Sequence, residues 1–309
     1  MLVRVLSTEI LLLFPIPIWK PLFYPNPLGL PETRHACRGM PLRYHQCRYK
    51  KYGIEVVPIQ VQFGADSYKE GRDLSLAEFY RRLDEPVLPT TSQPSPGDFV
   101  EAYKGLVGKC DEIISIHLTS KGSGTCQSAR LASQMIEGVR ITIVDTLTAS
   151  MGTGLIVMAA AEAAYHGCGH EEVMRVIQRG MDTTSVFVAL PTLKYLRRSG
   201  RVPQVQAWVA GLLSIHPILG VRDGMVEAVE RVRTFRGCVR RVVEMASESC
   251  LGRASRMVVM HTNAPDEARA LLEQAGQAIQ FDESYFSEMG GSMAVHGGPG
   301  MLGIAVTQA

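Results

Sequence analysis

The sequence predicts an α/β protein of two domains, the first a three-layer α/β/α unit on a parallel sheet and the second built on a mixed sheet. Three observations carry that prediction. Through residues 52–169, β-branched runs alternate with amphipathic stretches, the order that gives crossover-connected parallel strands covered on both faces. Beyond residue 170 the crossovers are mixed with a hairpin, "HPILGVRDGMVEAVERVRT", whose two-residue turn is Asp223-Gly224. A chain of 309 residues, 46% of them hydrophobic, is long enough to bury two cores. The division is expected near residue 169, giving units 51–169 and 170–309 after an atypical segment 1–50.

In chain order, "IEVVPIQVQF" alternates and is rich in β-branched residues, so it reads as one strand. "SLAEFYRRL" sets Ser75 and Glu78 at capping-box spacing ahead of an apolar helical face. In "SPGDFVEAYKGL" Ser95 is the cap and Pro96 the first helical residue. "EIISIHL" is a strand, 125–136 a helix, "VRITIVD" a strand, and "GLIVMAAAEAAYHG" a helix closed by glycine. In the second unit "EEVMRVIQRGM" is helical and "SVFVAL" a strand, and "KYLRRSGRVPQVQAWVAGLL" gives two helices broken at Ser199-Gly200. After the hairpin come a strand, "RMVVMHT", a helix, "APDEARALLEQA", and short strands around "GGSMAVHGGPGMLGIAV".

Composition excludes several function classes. Residues 1–51 hold eight Lys+Arg against two Asp+Glu, and the remainder 24 against 28, so the main body is mildly acidic and unsuited to a nucleic-acid groove. Seven cysteines without paired spacing fit a reducing, cytoplasmic setting. The apolar "ILLLFPIPIWKPLFYPNPLGLP" is cut by six prolines and cannot form a membrane-spanning helix. His35, Cys37, His45 and Cys47 match no zinc-finger spacing, and His166, Cys168 and His170 read as loop residues, so no metal is expected.

Four polar segments carry the candidate site. "SKGSGTCQSA" follows the buried strand "IISIHL", the place in an α/β sheet where loop N–H groups meet ligands. Ser123, Gly124 and Thr125 there suit either an anion or a plain helix cap. "PTTSQPS" gathers Thr91, Ser92 and further hydroxyls ahead of a capped helix. "VHGGPGMLG" places His296 before Gly297, Gly298, Pro299 and Gly300, where backbone can approach a ligand closely. Arg233 in "RVRT", between Val232 and Thr234 at a strand end, reads as the partner of an anion.

Taken in order, "TSQPS", "SGTCQSA", "VDTLTASMGTG", "LKYLRRSGRV", "HPILGVRDG", "RVRT" and "HGGPG" resemble the DegV family of bacterial lipid-binding proteins, which includes the acyl-binding subunit of fatty acid kinase. The resemblance spans residues 52–309. It implies a protein that clasps a long-chain fatty acid between its domains, its only ligand, without a cofactor or catalytic residues of its own. Thr91, Ser123, Arg233 and His296 would then surround the carboxylate, with Ser92, Gly124, Thr125 and Gly297 as further ligand-binding residues. Arg201 of "SGRV" would meet an ATP-dependent kinase subunit that phosphorylates it to an acyl phosphate. Gly122 stands where a larger apolar residue is usual, which would widen the pocket. Residues 1–50 lack the family's first strand with its Asp-Ser motif, and their excess of Arg, Pro, His and Cys suggests a shifted reading frame. The competing reading is a phosphotransferase holding nucleotide or phosphate in "HGGPGMLG". That loop lacks the Gly-Lys-Ser/Thr ending of a P-loop, and "GSG" at 122–124 is no nucleophile elbow for a serine hydrolase.

Overall fold

A computed structural model describes residues 3–7, 51–83, 85–202 and 215–308. In chain order the elements are β1 (Val3–Ser7), β2 (Glu55–Val56), β3 (Gln60–Phe63), β4 (Asp66–Lys69), α1 (Leu76–Arg82), β5 (Thr90–Ser92), α2 (Pro96–Lys104), β6 (Glu112–His117), α3 (Thr125–Ser133), β7 (Arg140–Asp145) and α4 (Met151–Tyr165). There follow α5 (His170–Thr183), β8 (Thr184–Ala189), α6 (Lys194–Ser199), β9 (His216–Arg222), β10 (Met225–Val232), α7 (Phe235–Ser249), β11 (Arg253–His261), α8 (Pro265–Ala278), β12 (Gln280–Glu288), α9 (Gly291–Gly297) and β13 (Leu302–Gln308).

The first sheet runs β2-β1-β6-β7, all parallel. Alternation along β6 sends Ile113 to a core shared with Phe99 and Tyr103 of α2 and Ala129 and Ala132 of α3, and Ile114 and Ile116 to the opposite face, against α4 and α5. The expected three layers are present. The second sheet runs β10-β9-β8-β13-β11-β12, antiparallel except for β11 and β12. Its outer face packs on α7 and α8 through Cys238, Val242, Ala246 and Leu271.

Helix α4 lies between the two sheets. Ile156, Val157 and Ala160 join the core of the first sheet, while Met151, Leu155 and Met158 pack with Val186, Val188 and Met260 of the second. That explains why "GLIVMAAAEAA" has no polar stripe: a helix apolar all round is a buried one. Helix α5, assigned by a boundary near residue 169 to the second unit, packs Val173 and Ile177 into the first core instead. Strands of the second sheet begin with β8.

Several local expectations are met in atomic detail. Ser75 and Ser95 each accept a hydrogen bond from the backbone N–H three residues on, at 3.2 Å, and Asp98 completes a capping box with Ser95. The hairpin turn holds both Asp223 (φ 47°) and Gly224 (φ 79°) in the left-handed region, as a type I′ turn requires.

Other expectations are corrected. "IEVVPIQVQF" is not one strand: around Pro58, which has no N–H for a ladder, the chain leaves the first sheet at β2 and enters a separate antiparallel sheet, β4-β3-β5. That small sheet packs Val61 and Phe63, with Phe79 of α1, against Ala294 and Val295 of α9. The first domain does not lack its first strand, because β1 lies between β2 and β6, with Val5 buried in the core. The segment "GGSMAVHG" is helical rather than extended; Glu70 accepts from the Ser292 N–H at 2.8 Å at its start, and Gly298 (φ 81°) ends it. Edge strand β12 carries exposed Gln280, Asp282 and Ser284, a polar alternation that hides it from a hydrophobicity reading. The proline-rich apolar run, the His35–Cys47 set, the frame-shift expectation for residues 8–50 and the second helix after Gly200 lie outside the described residues.

Candidate functional site

A cavity of about 530 Å³ opens between the two sheets, within the range of small-molecule sites. Met151 of α4, Val186 and Val188 of β8, Leu219 and Val226 of the hairpin, and Met301 make its walls apolar. Polar groups enter from β5 (Thr91, Ser92), from the loop after β6 (Ser120, Ser123), from α9 (Ser292, His296) and from Arg201 just beyond α6.

The centre of the polar side is a contact between residues 205 apart in sequence: Thr91 Oγ1 lies 3.0 Å from His296 Nε2. Burial, reinforced by the positive charge of Arg201, pushes the His296 pKa down to about 4. At neutral pH the ring is therefore uncharged and presents one donor and one acceptor. Its Nδ1 is buried with no partner among the described residues.

Ser123 Oγ lies 2.8 Å from Thr125 Oγ1 and accepts from the Thr125 N–H at 3.3 Å, so this hydroxyl serves the start of α3 as well as lining the cavity. Thr125 is fully buried beneath the loop and does not line the cavity. Gly124 lies against Gln93: a Cβ there would come within 2.4 Å of the Gln93 side-chain amide, which would have to move aside, so "TSQPS" and "SGTCQSA" meet at this glycine. Gly122 and Gly297 also line the cavity.

Two expected roles are redistributed. Arg233 is exposed in the connection between β10 and α7 and is absent from the cavity lining. The hairpin meets the cavity near its tip, through Leu219, Gly220, Val221 and Val226. Arg233 lies beyond the other end of β10, where Val232 pairs with His216, which at about 3.3 Å per residue is roughly 20 Å from Val226. Among the described residues the cation at the cavity is Arg201, expected only at a partner surface; it is exposed, lines the cavity and acts on His296. Sequence reasoning also missed Glu70, Ser287 and Thr119, all at least nine-tenths buried in the lining. Glu70 falls in the hydrophilic turn "DSYKEGRD" and carries no signal that separates it from a solvated carboxylate.

The "HGGPGMLG" loop is not arranged as a phosphate cradle. Its N–H groups are engaged internally: Gly298 donates to the Ala294 carbonyl at 2.7 Å, Gly300 to the Thr262 carbonyl at 2.6 Å and Met301 to Thr262 Oγ1 at 2.9 Å. No group of three His, Cys, Asp or Glu side chains among the described residues is placed to hold a metal ion. His170 of the "HGCGH" stretch instead sets Nδ1 2.6 Å from the buried Glu112 carboxylate. No described helix is long and apolar enough to cross a membrane.

An α/β fold of two large sheets and one small one, with an apolar-walled cavity between the large two, defines the class, and comparison with known proteins defines the family. The family model "Uncharacterised protein, DegV family" matches residues 43–309, reaching back slightly beyond the sequence motifs. A DegV domain-containing protein of Caldanaerobacter subterraneus is 32% identical over 256 residues, 82% of this chain and 91% of its own. Protein DegV of Bacillus subtilis is 31% identical over 258 residues, 82% of this chain and 92% of its own. Among solved structures, a Thermus thermophilus DegV-family protein described by its fatty acid binding superposes with a TM-score of 0.81 at 28% identity, covering 100% of both chains. Bacillus subtilis DegV, described as a fatty acid binding protein, gives 0.80 at 26% identity, again over 100% of both. The chain belongs to the DegV family.

Proposed function

We propose that this protein binds a long-chain fatty acid in the cavity between its two sheets and presents the carboxylate to a separate ATP-dependent kinase in the cytoplasm. The observation that carries the reading is the cavity itself, with apolar walls and Thr91, Ser123, His296 and Arg201 gathered in its lining. An alkyl chain gains about 0.8 kcal/mol per methylene removed from water and needs no directional contact. A carboxylate beside it is costly unless donors and positive charge surround it. The hydroxyls of Thr91 and Ser123, the neutral imidazole and the Arg201 guanidinium supply both. The fatty acid binding described for the Thermus thermophilus and Bacillus subtilis proteins supports the same reading. Exposed Arg201, at the rim, is the residue proposed to meet the kinase.

Native mass spectrometry with lipid extraction tests the ligand. The purified protein is expected to carry a long-chain acid that the paired substitution Thr91→Val and His296→Ala reduces at least tenfold; a chain that binds no such acid overturns the reading. With ATP, Mg²⁺ and acid, acyl phosphate is expected only when a fatty acid kinase subunit is added, and turnover by this chain alone would overturn the division of labour.

A further inference from the structure

Apart from the Thr91–His296 contact, the cavity holds a second set of polar atoms that the head-group reading does not use. Glu70 follows β4, lines the cavity and is 6% exposed. Its Oε1 accepts from the Ser292 N–H at 2.8 Å, the Ser292 hydroxyl and the Gly291 N–H also stand beside the carboxylate, and Oε2 makes no well-aligned hydrogen bond among the described residues. Ser287 of β12 lines the same cavity at 2% exposure, and its Oγ is likewise without a partner there. Glu70 follows β4 of the small sheet and Ser287 lies in β12 of the second, and both line the same cavity together with Met289 and Ser292.

Buried polar atoms without partners are rare in folded proteins, and each carries a desolvation penalty that a ligand group of the right chemistry removes. A plain alkyl chain has no such group. It would displace whatever water reached these atoms and leave both unsatisfied. A hydroxyl on the chain, by contrast, donates and accepts at once. It can donate to an ionised Glu70 or accept from a protonated one, and the Ser287 hydroxyl can take the complementary role. Burial pushes the Glu70 pKa up to about 7, so both forms are present near neutrality and both satisfy the same partner.

We propose that Glu70 and Ser287 form a second polar subsite that selects fatty acids bearing a hydroxyl group along the acyl chain. The inference rests on the acyl-binding reading and narrows it to a substrate class. Sites built to hydrogen-bond a ligand hydroxyl discriminate strongly against the analogue that lacks it.

The test is a titration series of stearic acid against octadecanoic acids hydroxylated at successive carbons, with the wild-type chain, Ser287→Ala and Glu70→Met. At least one hydroxylated isomer is expected to bind the wild type tenfold or more tighter than stearate. Ser287→Ala is expected to reduce that ratio to threefold or less, and Glu70→Met to abolish it. Because Glu70 also holds the start of α9, Ser287→Ala decides the matter if Glu70→Met does not fold. Stearate binding with no isomer preferred, or a preference that survives both substitutions, overturns the inference and leaves the acyl-binding reading standing. Failure of every acid to bind overturns both.

Discussion

The hairpin β9–β10 forms one wall of the cavity, and its tip is tied to the first domain at two points. Thr119, 1% exposed, donates to the Gly224 carbonyl at 2.6 Å, and Lys121 Nζ donates to the Asp223 carbonyl at 2.5 Å. Substituting Thr119→Val keeps the branched shape, removes the donor and strands a carbonyl. The cost of an unsatisfied buried acceptor is about 1–3 kcal/mol; at about 2 kcal/mol, the balance between closed and open hairpin shifts roughly 30-fold. The latch acts on opening rather than on the chain's contacts. Uptake and release of a fluorescent acyl ligand, followed by stopped flow, are therefore expected to quicken together by about that factor while Kd moves far less. Hydrogen exchange at residues 222–226 reports the opening directly. A variant whose turn exchanges faster but whose release rate stays within twofold of wild type would refute the gate; one in which neither changes would refute the latch.

Two further outcomes follow from the same geometry. His117, His261 and His296 are held neutral in the fold, with burial the main cause, at about 3, 4 and 4, whereas Glu70 is raised to about 7. Between about pH 4.5 and 6.5 the unfolded chain thus binds three imidazole protons that the fold refuses, and the fold keeps one carboxyl proton that the unfolded chain releases. The net difference of about two protons makes stability climb with pH by up to about 2.7 kcal/mol per unit from these groups, flattening above pH 7. Urea midpoints that stay level from pH 6.5 to 4.5 would contradict it. For saturated acids, each two-methylene extension is expected to tighten binding about 15-fold, from about 1.6 kcal/mol, until the cavity is full; equal affinity for twelve-, fourteen- and sixteen-carbon acids would deny an apolar tunnel.

Much of the fold was legible because its signals are local. Ser75, Ser95 and Asp223-Gly224 act within three residues of themselves, and each does what its residue type suggests. Long-range dependence explains the failures. Strand β1 is only five residues, and its place is set by β2 and β6, 49 and 109 positions away by their registers, Ser7 to Val56 and Val3 to Glu112. Helix α9 is short, and its start is held by a carboxylate 222 residues distant while Phe79 covers its flank. Neither cause is visible in the seven residues that become helical.

Legibility of the site follows the same division. Hydroxyl-rich loops can be found in a sequence because their residues also serve neighbours: Ser123 receives the Thr125 N–H, and Gly124 makes room for Gln93. Arg233 misled because Val232 and Thr234 resembled a continuing strand; in fact Thr234 accepts from the Gly237 N–H at 3.1 Å as the cap of α7, so the strand ends one residue before the arginine. The guanidinium at the cavity comes instead from Arg201, where Gly200 (φ 64°) ends α6 and turns the chain toward the lining. Glu70 meets no local need at all. Its carboxylate satisfies a remote backbone N–H, and the oxygen left over faces no partner in its own segment. A residue that serves neither a cap nor a turn is silent in a linear reading, and for that reason Glu70, although it lines the cavity, is a part of the wall that no motif announces.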